Sequence, residues 1–486
     1  MKKHIPVFAA LFMMFVFGYI IPPWSTVSSV GLKILGAFVG WLILVIAGKG
    51  MVIASCLGFF ALALSGYMTP KELFAAGFGT PDLLQFVYAF LLTGAFTRSG
   101  AGEVIVRWTL SRKVLNGRPV LFMLVWWTIM TVLGALTTNV VACMMLAFSL
   151  ITSISRVVGY KITDAWCRFM IAATIMIGGT AGVLIPFQGP PAMALPIFDA
   201  YGADIGISIN RGIYCATVIG TSVLVILALT FIAPRLLRLN IDPLAKIDVS
   251  TLTDGHSTTL TIQQTTITVV MIISYLYPVL LLPLPKDSAI YAVLSGSIGQ
   301  PMFMGFAVAI LALLHKEGQS FYDLEKYIGG DVMWGAIAAY ALVSVAAGAL
   351  ASDAAGIKNW LLELIGSAVA NLPLWLVIIV FILIATYLTQ VFSNMATIII
   401  VTSVLAPLVP VFIQQGFNLS ALPGAILQGG MSAIMTAGGS GFSAMMLGQP
   451  AFEGDGTKWA LKNGALILLI LAICSTITTL TMGYLL

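Results

Sequence analysis

Apolar residues in this chain do not alternate with polar ones over short elements; they run almost unbroken for about twenty positions at a time. A bilayer core ~30 Å thick takes about 20 apolar residues per helical crossing. Runs of that kind predict spans near 5–21, 30–47, 51–67, 83–98, 165–185 and 209–233. A second set follows near 262–282, 289–314, 331–352, 421–437 and 459–484, which makes about eleven crossings. The polar segment 240–261, with Asp242, Lys246, Asp248, Asp254 and His256, separates the two sets.

Two longer runs, 119–155 and 372–413, are each broken at the centre by a polar cluster. In the first it is "TTN" at 137–139; in the second it lies within "TQVFSNMATIII" at 389–400. Each run reads either as two crossing helices or as one re-entrant hairpin whose tip stops inside the membrane. Both return the chain to the side it came from.

The two breaks at Asn139 and Asn394 lie 255 residues apart, and their surroundings match. Each follows a small-residue turn, "RSGAGEVIVRW" at 98–108 or "SDAAGIKNWLL" at 352–362. Each precedes a glycine-interrupted helix, "GGTAGVLIPFQGPPA" at 178–192 or "TAGGSGFSA" at 436–444. The expected organisation is an extra N-terminal helix in 1–28, a first repeat in 29–239, a polar cytoplasmic linker in 240–261 and a second repeat in 262–486. An odd number of spans per repeat inverts the second copy, and paired interrupted segments in inverted halves point to a transporter's binding site.

Composition settles the solvent. Hydrophobic residues make up 60% of the 486 positions, charged residues only 8%, and the mean hydropathy is +1.05. Soluble proteins carry roughly 25% charged residues, so lipid must cover most of this surface. With the N-terminus in the cytoplasm and both long runs returning to their own side, only Lys33, Lys71, Arg211, Lys286 and Lys358 of the 23 Lys and Arg fall outside. That bias matches the positive-inside rule. The start "MKKHIPVFAALFMMFVFGYIIPPW" lacks a small-residue cleavage pattern and reads as a retained span. Five cysteines without paired spacing read as small buried hydrophobes.

Irregular backbone at membrane depth survives only where protein or a water-filled cavity satisfies its N–H and C=O groups. A hairpin tip there implies a wet pocket: helix N-termini beyond it suit an anion, and free carbonyls before it suit Na⁺. No Asp, Glu, Lys or Arg falls at mid-span, and His4, His256 and His315 lie at span ends or in the linker. Proton coupling through a buried carboxylate is therefore not expected. No triad or metal-ligand spacing points to an enzyme. Arg107, Arg112, Lys113 and Arg118 read as an interfacial anchor.

This layout resembles the divalent anion/sodium symporter (DASS) family of the ion-transporter superfamily, from "GLKILGAFVGWLILVIAGKG" to the C-terminus. The resemblance implies an all-α polytopic fold of about eleven spans and two re-entrant hairpins in inverted repeats, an elevator movement and a homodimer. Matched to the family's Ser-Asn-Thr tips, the substrate contacts are Thr138, Asn139 and Val140, then Ser393, Asn394 and Met395, with Pro190 and Gly439 from the broken helices. The implied Na⁺ ligands are Thr138, Asn139 and Gly189 in the first repeat and Thr389, Asn394 and Ala437 in the second. Val140 and Met395 stand where the family has threonine, and Gly134 stands where Thr389 stands in the other half.

The expected function is secondary transport of small organic anions across the plasma (inner) membrane by Na⁺ symport or anion exchange. C4-dicarboxylates such as succinate, malate and fumarate come first, with 2-oxoglutarate and citrate also in range. An inorganic oxyanion of the sulfate type is the alternative. The expected partners are the anion, Na⁺ or a counter-anion, lipid and a second copy of the chain. No cofactor and no nucleic acid are expected.

Overall fold

A computed structural model describes residues 4–137, 140–246, 258–281, 284–285, 287–369 and 372–485. Helix forms at every predicted apolar run. The first half contains α1 (Ile5–Ile20), α2 (Ser29–Ile46), α3 (Met51–Ser65), α4 (Pro70–Phe78), α5 (Pro81–Ser99), α6 (Ala101–Leu110), α7 (Pro119–Leu136), α8 (Val140–Val158), α9 (Ala165–Ala181), α10 (Gly189–Gly202) and α11 (Arg211–Phe231). The second half contains α12 (Ile262–Tyr275), α13 (Ala289–Leu313), α14 (Leu324–Asp331), α15 (Trp334–Ala351), α16 (Ile357–Val369), α17 (Leu374–Leu388), α18 (Asn394–Gln414), α19 (Leu422–Gly430), α20 (Gly441–Leu447) and α21 (Gly456–Leu485). Among the described residues, strand is confined to β1 (His315–Lys316) and β2 (Gln319–Ser320), an antiparallel pair.

Among the described residues, seven helices are long and apolar enough to cross a membrane, and α4–α5, bent by 47°, make an eighth as a pair. Polar caps fix where the apolar runs begin. Thr69 with Glu72 and Thr261 with Gln264 form capping boxes that start α4 and α12. The turns in "RSGAG" and "SDAAG" both hold a glycine at positive φ, Gly100 at 70° and Gly356 at 68°, before the amphipathic helices α6 and α16. Helix α1 packs on α2 across Gly36 and Gly40, whose Cβ positions would fall 2.3 Å from Met13 O and 2.6 Å from Ala10 O. That four-residue glycine spacing is the usual means of close helix approach in lipid.

The packing repeats as the sequence does. Helix α3 lies on α15 as α5 lies on α13; α7 lies on α9 as α17 lies on α19; α9 meets α20 as α10 meets α19. Each pair exchanges corresponding elements of the two halves, and α11 packs on its own counterpart α21. Two bundles result, each built from both halves. One is a frame of α2–α5 with α12–α15, the other a core of α7–α11 with α17–α21, and α10 joins the two by packing closely on α15. A cross-half ion pair closes the frame: Arg98 Nε lies 2.8 and 2.9 Å from the two Asp331 oxygens, and Tyr322 donates to the same carboxylate at 2.9 Å.

One predicted boundary is corrected. The span drawn over 421–437 stops as helix at Gly430, and the chain runs irregularly to Ser440. Close packing sets that stop: a Cβ at Gly429 would lie 2.8 Å from Thr386 Oγ1, and one at Gly430 would lie 2.3 Å from Ile398 Cγ1.

Candidate binding site

The second long run folds as two helices joined by a short turn. Helix α17 ends at Leu388, Thr389 caps it, and Ser393 begins α18 by accepting a hydrogen bond from Ala396 N at 3.3 Å. Thr389 is fully buried. Its Oγ1 lies 2.8 Å from Asn394 Oδ1 and 2.7 Å from Gly430 O. Three oxygens thus converge around a single hydroxyl proton, which can serve only one of the other two. Such a surplus of oxygen acceptors has the donor chemistry of a small hard cation site.

Gln390 holds this tip to the irregular segment 431–440. Its Oε1 accepts Ile434 N at 2.9 Å and Met435 N at 3.0 Å, while its Nε2 donates to Thr386 O at 2.9 Å. Thr436 Oγ1 donates to the Gln390 carbonyl. These bonds replace the helical ones that the unwound backbone has lost. Gly439 crosses the tip so closely that a Cβ there would sit 2.7 Å from Thr389 O.

The first half follows the same order of helix, break and helix in its described residues. Thr137 caps α7, donating to Leu133 O at 2.9 Å. Helix α9 ends at Ala181, and the chain turns through Gly182–Gln188 into α10, with Gly189 at φ +55° and Pro190 in its first turn. Tyr214 donates to Val183 O, which satisfies one carbonyl of this turn. Gln188 is 2% exposed, and its Oε1 has no partner among the described residues.

The two irregular segments are neighbours. A Cβ at Gly179, near the end of α9, would stand 2.4 Å from Met431 O, the first residue past α19. Gly134, on the first hairpin, packs on Gly178 of the same helix. A chain of contacts therefore joins the first hairpin, both broken helices and the second tip.

Of the predicted site residues, Thr389, Ser393, Asn394 and Gly439 are brought together, with Met395 half-buried beside them. Ala437 is exposed two residues before Gly439, and Gly189 and Pro190 open α10. Thr138 and Asn139 lie outside the described residues, and of Val140 only its place at the start of α8 is described.

Two residues gain roles that sequence reading did not assign. Gln390 was visible as a polar group in the tip, but its partners lie 44 and 45 residues downstream. Arg168, one of the basic residues that the charge bias puts on the cytoplasmic side, is 5% exposed and donates to Ala451 O and Asp455 Oδ1, both at 2.7 Å. That contact ties the start of α9 to the loop before α21 and holds the Asp455 carboxyl below the usual carboxylate range.

Comparison with known proteins agrees with this architecture. The structure of the YdaH transporter of Alcanivorax borkumensis superposes with a TM-score of 0.60 at 14% identity, covering 85% of this chain and 89% of that one. MtrF of Neisseria gonorrhoeae, described as one of a class of antimetabolite efflux pumps, superposes with a TM-score of 0.57 at 13% identity, over 98% of both chains. At such identities the likeness concerns the fold. No curated protein sequence matches the chain. The citrate transporter family, CitMHS, matches residues 38–429, most of the length, with the first irregular segment and the second tip inside the match. The resemblance to anion carriers of the ion-transporter superfamily is thereby borne out, and the chain belongs to the CitMHS family of citrate transporters, as a membrane-embedded secondary transporter and not an enzyme.

Proposed function

We propose that this carrier moves citrate or a closely related di- or tricarboxylate, bound where the two broken helices cross, with Na⁺ as coupling ion at the second tip. The family's description moves citrate ahead of the C4-dicarboxylates that the sequence alone favoured. The observation that carries the reading is the convergence of Thr389 Oγ1, Asn394 Oδ1 and Gly430 O at the second tip, beside the contact of Gly179 with Met431.

Helix α18 begins at Asn394, so its first N–H groups and positive dipole end offer an uncharged site for a carboxylate. Ser393, Asn394 and Met395 are the candidate contacts from this half; Thr138, Asn139 and Val140 are the candidates from the other, with Pro190 and Gly439 alongside. Gly134 has no hydroxyl at the position matching Thr389, so the second repeat is the better candidate for cation binding. In this reading the core bundle slides as an elevator against the frame, the protein is a dimer in the plasma membrane, and its N-terminus is cytoplasmic.

The test is uptake of labelled citrate, succinate and malate by proteoliposomes, with Na⁺ varied. Citrate uptake is expected to saturate and to rise with Na⁺. Thr389→Val, which keeps the shape and removes the hydroxyl, is expected to cut the Na⁺ stimulation about tenfold, the effect of about 1.4 kcal/mol. Na⁺ stimulation that survives Thr389→Val intact would sink the cation site. Sulfate uptake with none of the carboxylates would sink the substrate assignment.

A further inference from the structure

A cavity of ≈ 640 Å³ lies between the core and the frame, beside the turn after α9. The turn after α9 and the helices α10 and α11 form one wall; α5, α13, α15 and the end of α12 form the other. Its interior is mostly apolar, with Phe187 and Leu195 on one side and the Tyr340 ring on the other. That size and character fit a small-molecule pocket.

Few polar groups line this cavity, and three of them have bonding capacity to spare. Gln85 is 6% exposed and lines the cavity, and its amide has no protein partner among the described residues. Arg211 Nη2 pairs with Asp199 Oδ2 at 2.6 Å, but its Nη1 has no partner among the described residues. Asp82 is exposed in the first turn of α5 and has no ion-pair partner among the described residues. The walls thus offer one unpaired carboxylate, one guanidinium with donors to spare and one buried amide, above an apolar chamber.

We infer that this cavity binds a soluble amphipathic zwitterion, its ammonium at Asp82, its carboxylate at Arg211 and Gln85, and its apolar body against Phe187 and Leu195. A simple anion would leave Asp82 unanswered, and a simple cation would leave the guanidinium donors unused. Asp82 is exposed and the Arg211 side chain is 39% exposed, so what an unmatched ligand forfeits is a charge-assisted contact rather than a burial penalty. The cavity shares the turn after α9 and the start of α10 with the site proposed for transport but is centred on the far side of them from the second tip, and the inference does not depend on what the carrier moves.

The experiment is equilibrium dialysis of labelled 2-aminooctanoate against the full-length protein in phosphatidylcholine nanodiscs, with empty discs subtracted. Octanoate and octylamine serve as probes with the same body and one charge each. The expected result is one saturable site per chain, with 2-aminooctanoate about tenfold tighter than either control, the effect of one charge-assisted contact. Asp82→Asn, at an exposed position, is expected to reduce 2-aminooctanoate to the affinity of octanoate. Leu195→Trp, which fills the chamber, is expected to abolish binding. Equal affinity for the three probes overturns the inference, as does wild-type binding by Asp82→Asn. Displacement by excess citrate would merge the cavity with the transport site, and displacement by added phosphatidylethanolamine would give it to lipid; either also overturns it.

Discussion

Replacing Gln390 with methionine keeps the side chain's length and nearly its volume while removing both polar atoms. Gln390 is 3% exposed, so water cannot take over its bonds. The amides of Ile434 and Met435 lose their acceptor, and Thr386 O loses a donor. Each buried amide left without an acceptor costs about 1–3 kcal/mol, which gives about 2–6 kcal/mol for the pair. Interhelical side-chain hydrogen bonds inside membranes average only about 0.6 kcal/mol, because the unfolded chain finds other partners there. The lower end is therefore the better figure, about 2 kcal/mol. The assay is thermal unfolding of purified protein in detergent, alongside citrate uptake in proteoliposomes. Gln390→Met should melt several degrees lower and bind substrate more weakly, since segment 431–440 is no longer held. Gln449→Met, which removes only a bond to Met445 O four residues away, should melt close to wild type. If both variants melt within about 1 °C of wild type, Gln390 does not support the unwound segment and the reasoning fails.

Other substitutions probe separate contacts. Gly179→Ala places a methyl 2.4 Å from Met431 O and should cost about 1–3 kcal/mol with a matching loss of uptake, whereas Gly348→Ala, on α15 with open space around it, should leave melting unchanged or raised. Asp331→Asn removes the cross-half pair with Arg98; because the arginine side chain is 43% exposed, the loss should be about 1 kcal/mol, read as a lower melting temperature, and no change would show that the pair is idle. Asp455 has its carboxyl lowered by the hydrogen bond from Arg168. Its contribution to stability is therefore present above the ordinary carboxylate pKa and lost as pH falls through the lowered one. Asp455→Asn should flatten that part of the acid melting profile, and an identical profile would refute the linkage.

The apolar runs determine that the chain lives in lipid and where its helices form, because a bilayer leaves a helix few options besides length and composition. Their polar interruptions, repeated 255 residues apart, mark the two long runs as related and single out Thr389, Ser393 and Asn394 as a group. Such features are local, and local sequence carries them. What only the tertiary structure decides depends on partners far along the chain. Gln390 and the amides of Ile434 and Met435 meet across 44 and 45 residues, and Arg98 reaches Asp331 across 233. The end of α19 at Gly430 is of the same kind: nothing in "ILQGGMSAIM" forbids another helical turn, but the approach of Thr386 and Ile398 and the hydrogen bonds that Ile434 and Met435 donate to Gln390 make the unwound path the satisfied one. Hydropathy places each segment at a depth in the membrane. Which segments touch at that depth is fixed by steric fit and by the need of every buried amide for an acceptor, and both belong to the assembled fold.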